Sequence, residues 1–173
     1  MNMNQFTQKT IQAIQDAQRL AVEYQNQAIE QEHLLAALTQ QQDGLIPQLL
    51  TKMGVEPGNF LAAATEKVAA LPHVTGSGRD PEKVYISNEL DQALNAAEAQ
   101  AKQMKDEYIS VEHVFLGMLQ RPGRAAKELF TRFGITAETF MKQLSTVRGN
   151  QRVTTDNPES TYNALEKYGQ DLV

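Results

Sequence analysis

Cysteine and tryptophan are absent from the 173-residue sequence, and aromatic residues make up only 6% of it. Without cysteine the chain has no disulfide framework, no zinc–thiolate site and no thiol nucleophile, which fits a reducing environment. No stretch approaches the roughly 18 consecutive apolar residues of a membrane helix, and the start of the chain lacks the apolar run of a signal peptide. We therefore expect a cytoplasmic protein that makes no membrane contact.

An excess of basic charge is also missing. The sequence has 16 lysines and arginines against 21 aspartates and glutamates, and its net charge is −5. A nucleic-acid surface normally has a basic face, so we expect protein partners and no nucleic acid. A chain of this length is sufficient for one domain with tails, which would bury about 68–70% of its unfolded surface.

What the sequence does contain is an internal repeat. When the chain is aligned with itself at an offset of 80 residues, residues 6 to 69 need no gap. The matched pairs include Ala13/Ala93, Ala17/Ala97, Ala21/Ala101, Ile29/Ile109, Glu32/Glu112, His33/His113, Leu49/Leu129, Gly54/Gly134 and Phe60/Phe140. Matches spread this evenly indicate a structural duplication. Two copies are too few for a solenoid, so we expect them to pack against each other in one closed domain.

Each copy has the apolar periodicity of four helices, and no alternating pattern is long enough to indicate a strand. The third helices run from about Leu45 to Met53 and from Arg124 to Phe133. They are predicted to end at Gly54 and Gly134, because a helix C-terminus favours a residue in the left-handed conformation. The sequence therefore predicts an all-α fold, an eight-helix pseudo-twofold bundle made of two four-helix repeats.

Composition also predicts where the segments of the chain begin and end. Within a domain spanning 1–148, the predicted segments are repeat 1 at about 5–71, a linker at 72–85 and repeat 2 at about 86–148. The polar segment 149–160 is predicted to be a flexible connector. Residues 161–173 have a helical pattern that stops abruptly, and we expect them to begin a helix leading toward a further module.

The recurring Glu-His pairs at 32–33 and 112–113 first suggest a metal or catalytic site. Adjacent residues on a helix point about 100° apart, and the second histidine of a zinc-protease helix is missing, so we expect no metal. The sequence contains neither a P-loop nor a Gly-x-Ser-x-Gly elbow, and we expect no catalytic residues. The pairs are instead expected to mark equivalent helix starts, with Ser110 as an N-cap.

The duplicated pattern I-x-x-E-H, the glycine-terminated third helix and the repeat itself resemble the Clp amino-terminal repeat domain, over residues 1 to about 148. The stretches LPHVTGSG and ALEKYGQDLV resemble the ClpB disaggregase branch of that family. The resemblance implies the amino-terminal part of a hexameric AAA+ ATPase that uses ATP and Mg, works with a DnaK-type chaperone system and threads aggregated polypeptides. It implies that this fragment binds no cofactor, is a monomer and engages unfolded or aggregated substrates.

The same resemblance implies substrate-binding residues. Thr7 matches a threonine that opens the first helix, Asp106 and Glu112 match acidic residues around the second I-x-x-E turn, and Leu94 matches part of an apolar groove. The neighbours Leu90, Tyr108 and Val111 complete the predicted set. Each also has a purely structural explanation: Thr7 as an N-cap, Asp106 as a helix terminator and Leu94 as a core residue.

The paired Glu-His motifs also resemble the ClpC and ClpA branches, which serve Clp proteases. That resemblance implies an alternative function, the binding of adaptors or phosphoarginine at the two repeat openings. The residues it implicates are Glu32, His33, Glu112 and His113.

Overall fold

A computed structural model describes residues 3–74, 84–149 and 151–156. Its elements, after a 3-10 helix at Met3–Gln5, are α1 (Gln8–Glu23), β1 (Ala28–Ile29), α2 (Gln31–Thr39), α3 (Leu45–Lys52), α4 (Pro57–Ala69), β2 (Tyr85–Ile86), α5 (Asn88–Gln103), α6 (Val111–Gln120), α7 (Arg124–Phe133) and α8 (Ala137–Arg148). Eight helices dominate the described residues, so the predicted all-α, two-repeat architecture is confirmed.

Helix ends recur at the 80-residue offset because the same local chemistry recurs. The Thr7 hydroxyl accepts a hydrogen bond from the backbone N–H of Thr10, and Ser87 caps α5 in the same way. Gly54 and Gly134 have φ values of 78° and 66°, as predicted for the ends of α3 and α7. A side chain is strained in this left-handed region, so glycine is the favoured residue there.

The two repeats exchange short extended segments. β1 pairs in parallel with β2, and Phe6 forms an equivalent parallel bridge with Ile109. The backbone N–H of Thr7 donates to the Ile109 carbonyl at 3.1 Å, and that of Ser87 donates to the Ile29 carbonyl at 3.1 Å. The segment before the first helix of each repeat thus pairs with the other repeat, which ties the two copies together. Strands of two residues leave no alternating pattern in the sequence.

The core lies around α2 and α6, which are almost entirely buried. Gly117 of α6 lies directly against α5: a Cβ atom there would be 2.2 Å from the Ala93 carbonyl oxygen and 2.9 Å from the Ala97 nitrogen. The repeated alanines of α5 therefore allow close helix approach. Phe115 of α6 and Phe140 of α8 stack in the core with ring centroids 4.7 Å apart.

Each repeat continues past its fourth helix as an extended segment. The Val74 N–H donates to the Gln25 carbonyl at 2.7 Å, and the Glu107 N–H donates to the Val153 carbonyl at 2.7 Å. The described start of the predicted linker 72–85 and residues 151–156 of the predicted connector therefore pack against the domain. The predicted helix at 161–173 lies outside the described residues.

Candidate functional site at the helix openings

A buried histidine organises the opening of the first repeat, at the start of α2. The Glu30 N–H donates to His33 Nδ1 at 2.8 Å, so this nitrogen carries no proton. The proton is therefore on Nε2, which donates to Asn26 Oδ1 at 2.8 Å. Burial lowers the pKa of His33 to about 4, which keeps the ring neutral near pH 7.

The second repeat builds the same arrangement with a charged acceptor. The Ser110 N–H donates to His113 Nδ1 at 2.9 Å, and Nε2 donates to Asp106 Oδ2 at 2.6 Å. Ser110 caps α6, as the sequence predicts. His33 and His113 are both completely buried within capping boxes, so neither can reach a ligand in this structure.

Asp106 belongs to a buried cluster of charges in the second repeat. Its Oδ1 atom accepts hydrogen bonds from Arg148 and from the Val153 N–H, the latter at 2.9 Å. Arg148 Nη1 lies 3.6 Å from Glu112 Oε2, and neither carboxylate oxygen of Glu112 accepts a hydrogen bond from the described residues. Burial alone would raise the pKa of Asp106, but hydrogen bonds from His113, Val153 and Arg148 outweigh it and lower that pKa.

Sequence reasoning missed Arg148 and Val153, although a signal for the cluster was present. At the 80-residue offset, Asn26 and Val68 stand in the places of Asp106 and Arg148. Val68 is a buried core residue. An aspartate and an arginine that replace a neutral amide and a valine at matched positions indicate a buried ion pair that only one repeat has.

Three of the predicted substrate-binding residues meet at one junction. Thr7 caps α1 and is bonded to Ile109, which lies in the turn between Asp106 and Glu112. All three predicted side chains are buried, which agrees with their structural explanations. Tyr108 of the same turn is partly exposed. We name this junction of the α1 start with residues 104–112 the second opening.

The remaining predicted residues do not line an open groove. Leu90 and Leu94 of α5 are exposed by 1% and 2%, and Val111 by 1%. All three belong to the hydrophobic core. The expectation that Leu94 faces a surface groove therefore differs from the structure. The helical spacing of Leu90, Leu94 and Ala97 points them inward onto α6 because the neighbouring alanines let that helix approach.

An open cleft lies beside the start of α2. It has a volume of about 550 Å³, and its charged lining residues are Glu30, Glu32, Lys67, Glu89, Arg124 and Glu128. Burial raises the pKa of Glu32 to about 7. Lys67 is paired with Glu128, and this pairing lowers the pKa of that exposed carboxyl. Sequence reasoning found only Glu32 among these residues, because Lys67, Glu89, Arg124 and Glu128 come from other helices. We name this surface the first cleft.

Within residues 3–74, 84–149 and 151–156, no cluster of three or more histidine, aspartate and glutamate side chains has the arrangement of a metal site. None of the helices in this part of the chain has the length and apolarity to cross a membrane.

Comparison with known proteins identifies the class to which this two-repeat fold belongs. Residues 5–133 match the Clp repeat (R) N-terminal domain, and the chain belongs to that family. The fold agrees: the Hsp104 N-terminal domain from Candida albicans superposes with a TM-score of 0.77 at 25% identity, covering 89% of this chain and 98% of that one. The N-domain of ClpV from Vibrio cholerae, at 18% identity, covers 83% of this chain and 84% of its own with a TM-score of 0.68.

Within the family, the chain is similar to ClpB chaperones along its whole length. It is 47% identical over 173 residues to the Chaperone protein ClpB of Bacillus cereus and 43% identical over 178 residues to that of Nitratidesulfovibrio vulgaris. These alignments cover 100% of this chain but only 20% of either relative. The chain thus corresponds to the N-terminal domain of a ClpB-type chaperone, and the resemblance found in the sequence is confirmed.

Proposed function

We propose that this chain is the substrate-engaging N-terminal domain of an ATP-dependent protein disaggregase, and that it binds exposed apolar segments of unfolded or aggregated polypeptides in the cytoplasm. The observation that carries the proposal is the similarity to ClpB chaperones over the whole chain. Nucleotide and Mg binding, the homohexamer and cooperation with a DnaK-type chaperone system belong to the four fifths of such a protein that this chain does not span.

The segments that precede α1 and α5 support this proposal. Within the described residues the large apolar side chains that are exposed are Met3, Tyr85 and Ile86, at 44%, 56% and 39%. Met3 precedes α1, and Tyr85 and Ile86 precede α5. Apolar surface is therefore exposed just before the first helix of each repeat. Glu89 lies in the first turn of α5. Apolar side chains beside carboxylates suit an apolar segment flanked by basic residues.

A neighbour of the same fold binds a peptide. The ClpV N-domain has been solved as a complex with a VipB peptide, and its superposition has a TM-score of 0.65 at 18% identity. This supports a peptide-binding surface on the fold and does not define the ligand of this chain. A disordered polypeptide loses entropy when it binds, so we expect one domain to bind with a Kd of about 1 μM or weaker, and six tethered copies to bind more tightly through avidity.

An amide NMR titration of the 173-residue chain with a permanently unfolded polypeptide tests this proposal. We expect shifts that cluster at residues 3–8, 84–89 and 104–112, and a several-fold weaker affinity for Tyr85→Ser, because it removes exposed aromatic surface without altering the core. The natively folded form of the same polypeptide is the control and should produce no shifts. An absence of shifts at millimolar ligand would contradict the proposal.

The first cleft favours a second candidate, an adaptor- or phosphoarginine-binding domain of a ClpC- or ClpA-type unfoldase. Its carboxylates, Glu32 among them, suit a guanidinium group, and Lys67 and Arg124 suit a phosphoryl group. A ligand that binds only the native state raises its Tm. This candidate therefore predicts that phosphoarginine raises the Tm, that free arginine does not, and that Glu32→Gln removes the effect while the exposed Glu66→Gln preserves it. No rise in Tm would exclude it.

A further inference from the structure

We infer that residues 151–156, here named the docked tail, are a built-in competitor that occupies the second opening, so that a polypeptide reaches Asp106 only when the tail leaves. This inference rests on the proposed function, because it concerns how access to that same binding surface is regulated.

The docked tail binds in the way that an extended peptide binds. At its start, Arg148 Nε donates to the Gln151 carbonyl at 2.8 Å and Arg152 Nη1 donates to the Met104 carbonyl at 2.6 Å. In the middle, the Val153 N–H donates to Asp106 Oδ1 at 2.9 Å and the Val153 carbonyl accepts from the Glu107 N–H at 2.7 Å. At its end, the Gln8 N–H donates to the Asp156 carbonyl at 2.8 Å and Gln8 Nε2 donates to Asp156 Oδ2 at 3.2 Å. The segment therefore runs from the end of α8 across residues 104–107 to the start of α1. Main-chain groups supply most of these contacts, so the surface is suited to an extended segment of varied sequence.

The docked tail already makes hydrogen bonds with the groups that another polypeptide would need. Asp106 already accepts hydrogen bonds from His113, Arg148 and Val153, and its side chain is completely buried. The Gln8 N–H, at the first turn of α1, is satisfied by the Asp156 carbonyl. A substrate contact to Asp106 therefore requires that the Val153 N–H first be displaced.

Little of the tail is buried, so the docked and undocked states are close in free energy. Val153 is completely buried, whereas the side chains of residues 152 and 154–156 are exposed. One buried valine and a few hydrogen bonds stand against the conformational entropy of six ordered residues. Such a segment can leave without unfolding the helices.

The first repeat provides an internal comparison. There the Val74 N–H also donates to the loop after the first helix, at the Gln25 carbonyl, so the path of the segment is shared. Asn26 of this loop is neutral, however, and donates to the Pro72 carbonyl at 3.2 Å. The arginine–aspartate pair that holds the tail is thus confined to the second opening.

The test compares Val153→Asp with the matched control Thr154→Asp in the 173-residue chain. Val153→Asp buries a carboxylate beside Asp106 and should expel the tail, whereas Thr154 is exposed and its replacement adds the same charge one residue away. Hydrogen exchange at the Gln8 and Glu107 amides reports docking. If the tail is docked about 90% of the time, its release should tighten the Kd for the permanently unfolded polypeptide by about tenfold. Thr154→Asp should change neither quantity.

Each outcome bears on the inference. Faster amide exchange with tighter binding in Val153→Asp supports it. Faster exchange with unchanged or weaker binding overturns the inference and leaves the proposed function in place. Unchanged exchange overturns the docked tail itself. Failure of both the parent chain and Val153→Asp to bind overturns the proposed function together with the inference. Val153→Ser, which removes the apolar contact without adding charge, must show the same changes in smaller degree.

Discussion

Replacing Glu32 by glutamine should unmask a pH dependence of stability that the native sequence cancels. Glu32 and His33 are adjacent at the start of α2, and burial shifts their pKa values in opposite directions. Burial is the largest cause of the rise in the pKa of Glu32 from 4.5 to about 7; the nearby Glu30 and Glu89 contribute to this rise, while a backbone hydrogen bond and Lys67 oppose it. The pKa of His33 falls from 6.5 to about 4.

The sign of each effect follows from which state binds the proton. Between pH 4.5 and 7 the folded state holds a proton on Glu32 that the unfolded state has lost, so stability decreases as the pH rises. Between pH 4 and 6.5 the unfolded state holds a proton on His33 that the folded state lacks, so stability increases with pH. Each effect is about 1.4 kcal/mol per pH unit, and the two offset each other between pH 4.5 and 6.5.

Glu32→Gln removes the pH dependence that Glu32 contributes and retains the opposite dependence that His33 contributes. We expect its free energy of unfolding to fall by about 3 kcal/mol when the pH is lowered from 6.5 to 4.5, while the parent chain stays nearly constant over this range. Urea titrations at half-unit pH intervals measure both curves. Glu66→Gln, which removes an exposed carboxylate from α4, should follow the parent chain. A Glu32→Gln curve as flat as that of the parent would refute the reasoning.

Three further substitutions test the packing. Gly117→Ala should destabilise the fold by about 3 kcal/mol or more, because its Cβ would lie 2.2 Å from the Ala93 carbonyl oxygen. Gly58→Ala is the control, because a Cβ at that position meets only an ordinary contact, and equal urea midpoints for the two variants would contradict this packing. Gly134→Ala should lower the free energy of unfolding by about 1 kcal/mol, because its φ is 66°. Asp106→Asn should lower the free energy of unfolding by about 3–5 kcal/mol, because the buried Arg148 guanidinium loses its charged partner. A loss under about 1 kcal/mol in urea titrations would argue against this ion pair.

The features that local chemistry dictates could be predicted from the sequence. The 80-residue offset, the apolar periodicity and the glycines at 54 and 134 were sufficient to define two copies of four helices, because helix caps depend on residues within one turn. Ser110 was recognisable as an N-cap for the same reason. The family resemblance implicates Thr7, Asp106 and Glu112 in substrate binding, which stays a prediction, and the structure brings the three residues to one junction.

The features that depend on contacts between distant segments could not be predicted. The exchanged strands contain two residues each, and the pairing of Phe6 with Ile109 follows from the twofold packing rather than from any local pattern. The polar composition of residues 149–160 predicts a flexible connector, and it gives no sign that a single valine, Val153, is buried beside Asp106. Leu94 could be assigned to the core only once α6 was known to lie against α5.

The positions where the two repeats differ need an explanation that the positions where they agree do not. Matched residues such as His33 and His113 perform the same capping in both copies, so their recurrence is explained by folding alone. A buried ion pair gives little net stability compared with an apolar pair of similar size, so folding alone does not explain why Asp106 and its arginine replace a neutral amide and a valine. In the second repeat the charged pair holds an extended segment, because the Val153 N–H donates to the Asp106 carboxylate, whereas the Val74 N–H of the first repeat donates to a backbone carbonyl. The second opening therefore holds a main chain, that of the docked tail, and its exchange for a bound polypeptide is what the Val153→Asp variant tests.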